Sequence, residues 1–136
     1  DFYFNGANAL RWRLLNGANK TNAASSQFYL WGTIFAKSYV EGGAPYGEAQ
    51  YYTGKGLQNA YSVEPDASKK VQLQAQAIRA YQSVVDNFYN AVVTDANGTF
   101  QWLVEWAVTD IQALGGVALH YVAHSRAPRS ATDTGN

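Results

Sequence analysis

From Pro65 to Ser125 apolar residues recur at i, i+3, i+4 and i+7 on both sides of a polar break at Asp95, Ala96, Asn97 and Gly98. The pattern predicts a long antiparallel helical hairpin, each helix about seven turns and roughly 40 Å long. Pro65, Asp66 and Ser68 mark the start of the first helix. Val71, Ala75, Ile78, Val85, Phe88 and Val92 form one apolar stripe on it, and Leu73, Ala77, Ala80, Val84 and Ala91 a second stripe of smaller residues. An apolar arc that wide implies cover on two sides. The second helix is expected to open at Thr99 as N-cap and to run to about His124. Phe100, Val104, Ala107, Ile111, Leu114, Ala118 and Tyr121 make its main stripe, with Trp102, Trp106 and Val117 beside it. Gly115-Gly116 in mid-helix costs about 1 kcal/mol per Gly relative to Ala, which points to close approach of another backbone or to a kink.

The first half has a different texture. Ala7 to Leu15 reads as a short helix closed by Asn16-Gly17, and Phe28, Trp31, Ile34, Phe35 and Tyr39 mark another stopped by Gly42-Gly43. Residues 42–64 alternate Gly with Tyr46, Tyr51, Tyr52 and Tyr61 and read as a loop, either a binding segment or a surface loop pinned by its tyrosines. The expectation is one all-α domain over 1–136. It comprises a helical arm (1–41), a Gly/Tyr-rich loop (42–64), the helical hairpin (65–125) and a polar tail (126–136). No segment reads as a convincing strand. Helices of that length suit an elongated subunit better than a ball with a radius of gyration near ~14 Å.

Composition sharpens the picture. Only 15% of residues are charged and 15% are aromatic, a balance that favours contact with a partner. Zero net charge gives no global field for a polyanion or a membrane, and no apolar run reaches the ~18 residues of a membrane span. The absence of Cys excludes disulfides and thiolate metal sites. The absence of Met, position 1 included, suggests a processed chain beginning at Asp1.

No motif states a chemistry. His120 and His124 stand one turn apart on the expected helix, but a metal needs a third ligand and Glu105 lies about four turns away. Glu105 and Asp110 share no helix face, and neither a nucleophile elbow nor a phosphate loop occurs. No catalytic residue, metal or cofactor is expected. Charge placement says more. Residues 1–40 hold Arg11, Arg13, Lys20 and Lys37 against Asp1, four minus one, or +3. Residues 41–66 hold Lys55 against Glu41, Glu48, Glu64 and Asp66, one minus four, or −3. An antiparallel hairpin would also gather Lys69 and Lys70 with Arg126 and Arg129 at its open end. Two readings fit: head-to-tail assembly, or a basic surface facing a polyanion.

The basic aromatic helix around Arg11-Trp12-Arg13, its polar interruption and the hairpin from Pro65 to Ser125 resemble the major capsid proteins of filamentous and rod-shaped archaeal viruses. The resemblance implies a helical arm followed by a helix bundle, subunits that dimerise with themselves or a paralogue, and a virion in which they wrap double-stranded DNA in the A-form. On this reading Arg11, Arg13, Lys20, Lys69, Lys70, Arg79, Arg126 and Arg129 face phosphate without reading sequence. The alternatives are a subunit of a protein-only filament or oligomer, and a small helical ligand-binding protein or enzyme with a pocket lined by Trp31, Trp102, Trp106 and Tyr121.

Overall fold

The computed structural model of the protein describes residues 47–136. Its elements run α1 (Gly47–Val63), α2 (Ala67–Asn87), β1 (Val92–Thr94), β2 (Phe100–Trp102) and α3 (Leu103–Ala113), followed by irregular chain to Asn136. The expected helices from Ala7 to Leu15 and around Phe28 to Tyr39 lie outside the described residues.

The described residues are mostly helical, and α1 packs antiparallel on α2. Where the sequence suggested a Gly/Tyr loop, a 17-residue helix stands. The reason lies in packing. A Cβ built on Gly54 would come within 2.7 Å of the Tyr81 ring, and Tyr81 is fully buried. Gly54 is therefore a place where α1 lies close against α2, and not a turn. The tyrosines between the glycines fill the remaining space. Tyr51 stacks obliquely on Tyr81 at 5.4 Å and on Trp106 at 5.9 Å, while its hydroxyl donates to Asp110 Oδ2 at 2.7 Å.

Helix α2 begins where Pro65 and Asp66 place it, with Asp66 as N-cap. Of its two apolar stripes, the one of smaller residues faces the core. Leu73, Ala77, Ala80 and Val84 are buried, with Tyr81 and Val85, whereas Val71 is 64% exposed. Small residues on this stripe let α1 approach.

The all-α expectation fails at the centre of the chain. The helix stops at Asn87, and Val92–Thr94 pairs antiparallel with Phe100–Trp102 in the register Val92↔Trp102 and Thr94↔Phe100. Three β-branched residues in a row favour a pleated strand over a helix. Residues 95–98 do form the expected turn. Asp95 Oδ1 accepts from the backbone N–H groups of Asn97 and Thr99, both at 2.9 Å. Thr99 is thus part of a β-hairpin and not an N-cap. Trp102 instead holds the N-cap position of α3, with no side-chain bond to the helix.

The second long helix is also corrected. Helix α3 covers Leu103–Ala113, 11 residues, and Gly115-Gly116 ends it where a continuing helix was expected. Gly116 N–H donates to Ile111 O at 2.9 Å and Gly115 N–H to Gln112 O at 3.0 Å, the paired bonds of a Schellman cap. Gly115 has φ +81, so Gly115→Ala should lose about 1 kcal/mol in urea unfolding and Gly115→Asn less. Equal stabilities for all three would show that the cap is not strained. The core beneath is built on Trp102, Tyr81, Leu103, Ile111, Val84 and Val104, all under 2% exposed.

Candidate functional site

Beyond the cap, residues 114–126 run as a strap whose first part, to Val122, follows α2 in the same direction as that helix. Gln74 Nε2 donates to Leu114 O at 2.6 Å. Gln82 makes a paired contact eight residues on. Its Nε2 donates to Leu119 O and its Oε1 accepts from Leu119 N–H, both at 2.9 Å. Its amide thus stands in for a neighbouring strand's peptide group. The Tyr89 hydroxyl donates to Val122 O, and Trp102 Nε1 donates to Arg126 O at 2.7 Å. Every one of these bonds reaches a backbone atom of the strap.

His124 closes the sequence of attachments. Its ring lies between Trp102, at 3.9 Å and 7°, and Tyr89, at 4.0 Å and 15°. Nε2 is 2.9 Å from Asn90 Oδ1, while Nδ1 has no solvent access and no hydrogen-bond partner. Burial holds the imidazole below its ordinary range, opposed by Glu105 and Asp133 and assisted by Arg126. Aromatic faces favour a cation by about 0.5–1 kcal/mol at an exposed site. A buried donor without an acceptor costs about 1–3 kcal/mol, more when charged. The neutral ring is the form that fits. His120 has φ +61 and lies with Val85, Asp86, Tyr89 and Val122 around an open depression of about 440 Å³. It does not share a ligand set with His124, and no group of three metal-ligating side chains occurs among the described residues.

The strap direction separates the cations that a helical hairpin would have gathered. Lys69 and Lys70 sit in the first turn of α2. Arg126 and Arg129 sit past its last turn, about 30 Å away along a 21-residue helix. Lys70 Nζ donates to Tyr61 O at 2.9 Å and lies 4.1 Å from the centre of that ring. Arg126 forks onto Asp133 at 2.7 and 3.0 Å and donates to Asn136 O at 2.7 Å. The backbone N–H groups of Arg129 and Gly135 complete the cradle around Asp133. This fork and the two N–H groups hold the Asp133 carboxyl far below the usual carboxylate range. The tail expected to be merely polar is thus a closed clasp. Lys69, Arg79 and Arg129 remain as exposed cations that form no ion pair among the described residues. Arg11, Arg13 and Lys20 lie outside those residues.

The residues that helical reading missed are on the outer face of the strap. Val117 is 74% exposed, Leu119 57% and Val122 73%. No Asp, Glu, Lys or Arg stands between Asp110 and Arg126. The available signal was Gly115-Gly116: as a helix cap it makes the following residues extended, and their apolar side chains can no longer all share one buried stripe. Of the aromatic residues proposed to line a pocket, Trp102 is buried under the His124 stack and Trp106 packs on Tyr51. Trp31 lies outside the described residues. No helix among the described residues is long and apolar enough to cross a membrane. No family model matches the chain, and no curated protein or solved structure matches it either.

Proposed function

We propose that the chain is a structural subunit of a helical assembly, with the outer face of the strap as a contact between copies. The exposed row Val117, Leu119 and Val122 carries this reading. An extended apolar segment normally bears a charge, often Lys, or a Pro that discourages pairing, and this one has neither between Asp110 and Arg126. A second copy presents the same uncharged face, so approach meets no like-charge repulsion. The resemblance to archaeal virus capsid proteins supports double-stranded DNA as the cargo and the virion as the place. The cations for it are Lys69, Arg79 and Arg129, with Arg11, Arg13 and Lys20. A protein-only assembly is the second reading, favoured by the engagement of Arg126 with Asp133 and of Lys70 with Tyr61.

Replacing Val117, Leu119 and Val122 together by Glu tests the contact. The strap's bonds to α2 use its backbone, so the fold should survive, with thermal stability within a few degrees of the parent. Sedimentation should then show monomer under conditions where the parent forms filaments. Unchanged filaments would remove the strap from the interface. A parent that stays monomeric at high concentration, with or without DNA, would sink the assembly reading. Absorbance at 260 nm of the filaments separates the two kinds of assembly.

Of the two meanings that Gly115-Gly116 allows, approach of another backbone or a break in the helix, the break is the one present: a Cβ on Gly116 would meet Ile78 Cδ1 at 3.0 Å and Ile111 Cγ2 at 3.1 Å in its own chain. Gly116→Leu should therefore destabilise the monomer, seen as a lower urea midpoint in the dissociated chain.

A further inference from the structure

We infer that His124 is an acid-sensitive latch: the neutral imidazole seats the strap against α2, and a proton on it releases the segment. The latch itself is a property of the single chain; only its effect on filaments rests on the assembly reading.

The geometry is a slot between two aromatic rings. Trp102 and Tyr89 close both faces of the ring at under about 4 Å. Asn90 Oδ1 meets Nε2, and Nδ1 is shut off from solvent with no protein acceptor in reach. Neutral imidazole needs only one N–H, which Asn90 accepts. Imidazolium carries two, and the second has nowhere to go. Protonation therefore favours a conformation in which the ring has left the slot. The slot's walls are also the strap's fastenings, since Tyr89 holds Val122 O and Trp102 holds Arg126 O. Loss of the ring uncovers both.

The charged groups around the slot come from every packed element. Asp86 lies on α2 and Tyr89 just past its end, Glu105 on α3, and Arg126 and Asp133 in the clasp, with His120 earlier on the strap. Glu105 and Asp133 favour the cation and Arg126 disfavours it, so the charges partly offset one another and the unmet N–H decides. A histidine held below its ordinary value binds its proton more weakly in the folded chain than in the unfolded one. Its contribution is complete above about 6.5, the ordinary value, and is lost as the pH falls below it. The clasp does not open in that window. Asp133 stays ionised well below it, and the stability it contributes is lost only in much stronger acid.

Hydrogen exchange of the full chain, kept dilute enough to be monomeric, tests the latch at about pH 7.5 and about pH 4.5. After correction for intrinsic rates, protection of residues 116–126 should fall in acid, by up to about tenfold per unit of depressed proton affinity. Protection of residues 73–85 should not change. His124→Phe keeps the stack and cannot titrate, so its strap should stay protected at both pH values. His124→Ala should lose protection at both. Acid release in His124→Phe equal to the parent's would overturn the latch, as would a proton-NMR titration placing His124 above its ordinary range. His120→Asn assigns the two resonances. A chain that passes these tests but never forms filaments keeps the latch and loses the assembly reading.

Discussion

Trp102→Ala should cost about 3–5 kcal/mol in urea unfolding, the usual range for emptying a large aromatic site in a core. Trp102 is 1% exposed, pairs with Val92 in the β-hairpin, holds the N-cap position of α3 and carries His124 on its face. Small domains hold about 5–15 kcal/mol in total, so the variant should sit near the edge of folding. Two softer changes separate the parts. Trp102→Phe keeps a ring beneath His124 and gives up the bond to Arg126 O, and should cost about 1 kcal/mol plus its share of lost volume. His124→Ala leaves the core intact and should cost less than either. If Trp102→Ala loses under about 1.5 kcal/mol, Trp102 is not the packing centre of this end of the molecule.

Binding of duplex DNA should lose about 2 from the slope of log K against log salt when Arg11 and Arg13 are both changed to Gln, at about 0.9 per phosphate contact. Arg126→Gln should leave that slope nearly unchanged, because its guanidinium is already committed to Asp133 and Asn136 O. Arg79→Gln, on an exposed cation without an ion-pair partner among the described residues, should remove about 1. Sequence of the duplex should not matter, since these side chains can neutralise phosphates and do not read bases. A steep loss with Arg126→Gln would mean that the clasp opens on DNA. A flat response to Arg11 and Arg13 would favour a protein-only assembly.

The helical character of the described region was legible where local signals and packing agreed. Asp66 starts α2 as read, and Asp95 to Gly98 turn the chain as read. Where the two disagree in this chain, local chemistry prevails over periodicity. Val92 fitted a helical stripe, yet Val92, Val93 and Thr94, three β-branched residues beside an Asp-Ala-Asn-Gly turn, form a hairpin strand. Gly115-Gly116 fitted a tolerated defect in a long helix, yet it is the helix's end. Gly54 looked like loop punctuation because its partner, Tyr81, lies 27 positions away and no local pattern announces it. The candidate surface follows from the end of the helix at Gly115-Gly116. With a helix to His124, Val117 and Tyr121 were core residues and the cations met at one end. With the chain turned out at Gly115, Val117 becomes surface, Tyr121 still packs against the core, and the cations part.

The strap is fastened through its own peptide groups, at Leu114, Leu119, Val122 and Arg126, by side chains rooted elsewhere. Letters and length are therefore constrained differently. Outward side chains at 117, 119 and 122 can be exchanged without loosening any fastening, so the fold leaves their identity open and only a contact between copies would restrict it. A one-residue insertion between 114 and 126 would instead throw the later fastenings out of step with α2. Variation here should consist of substitutions without gaps, and grafted sequences should be accepted only at unchanged length.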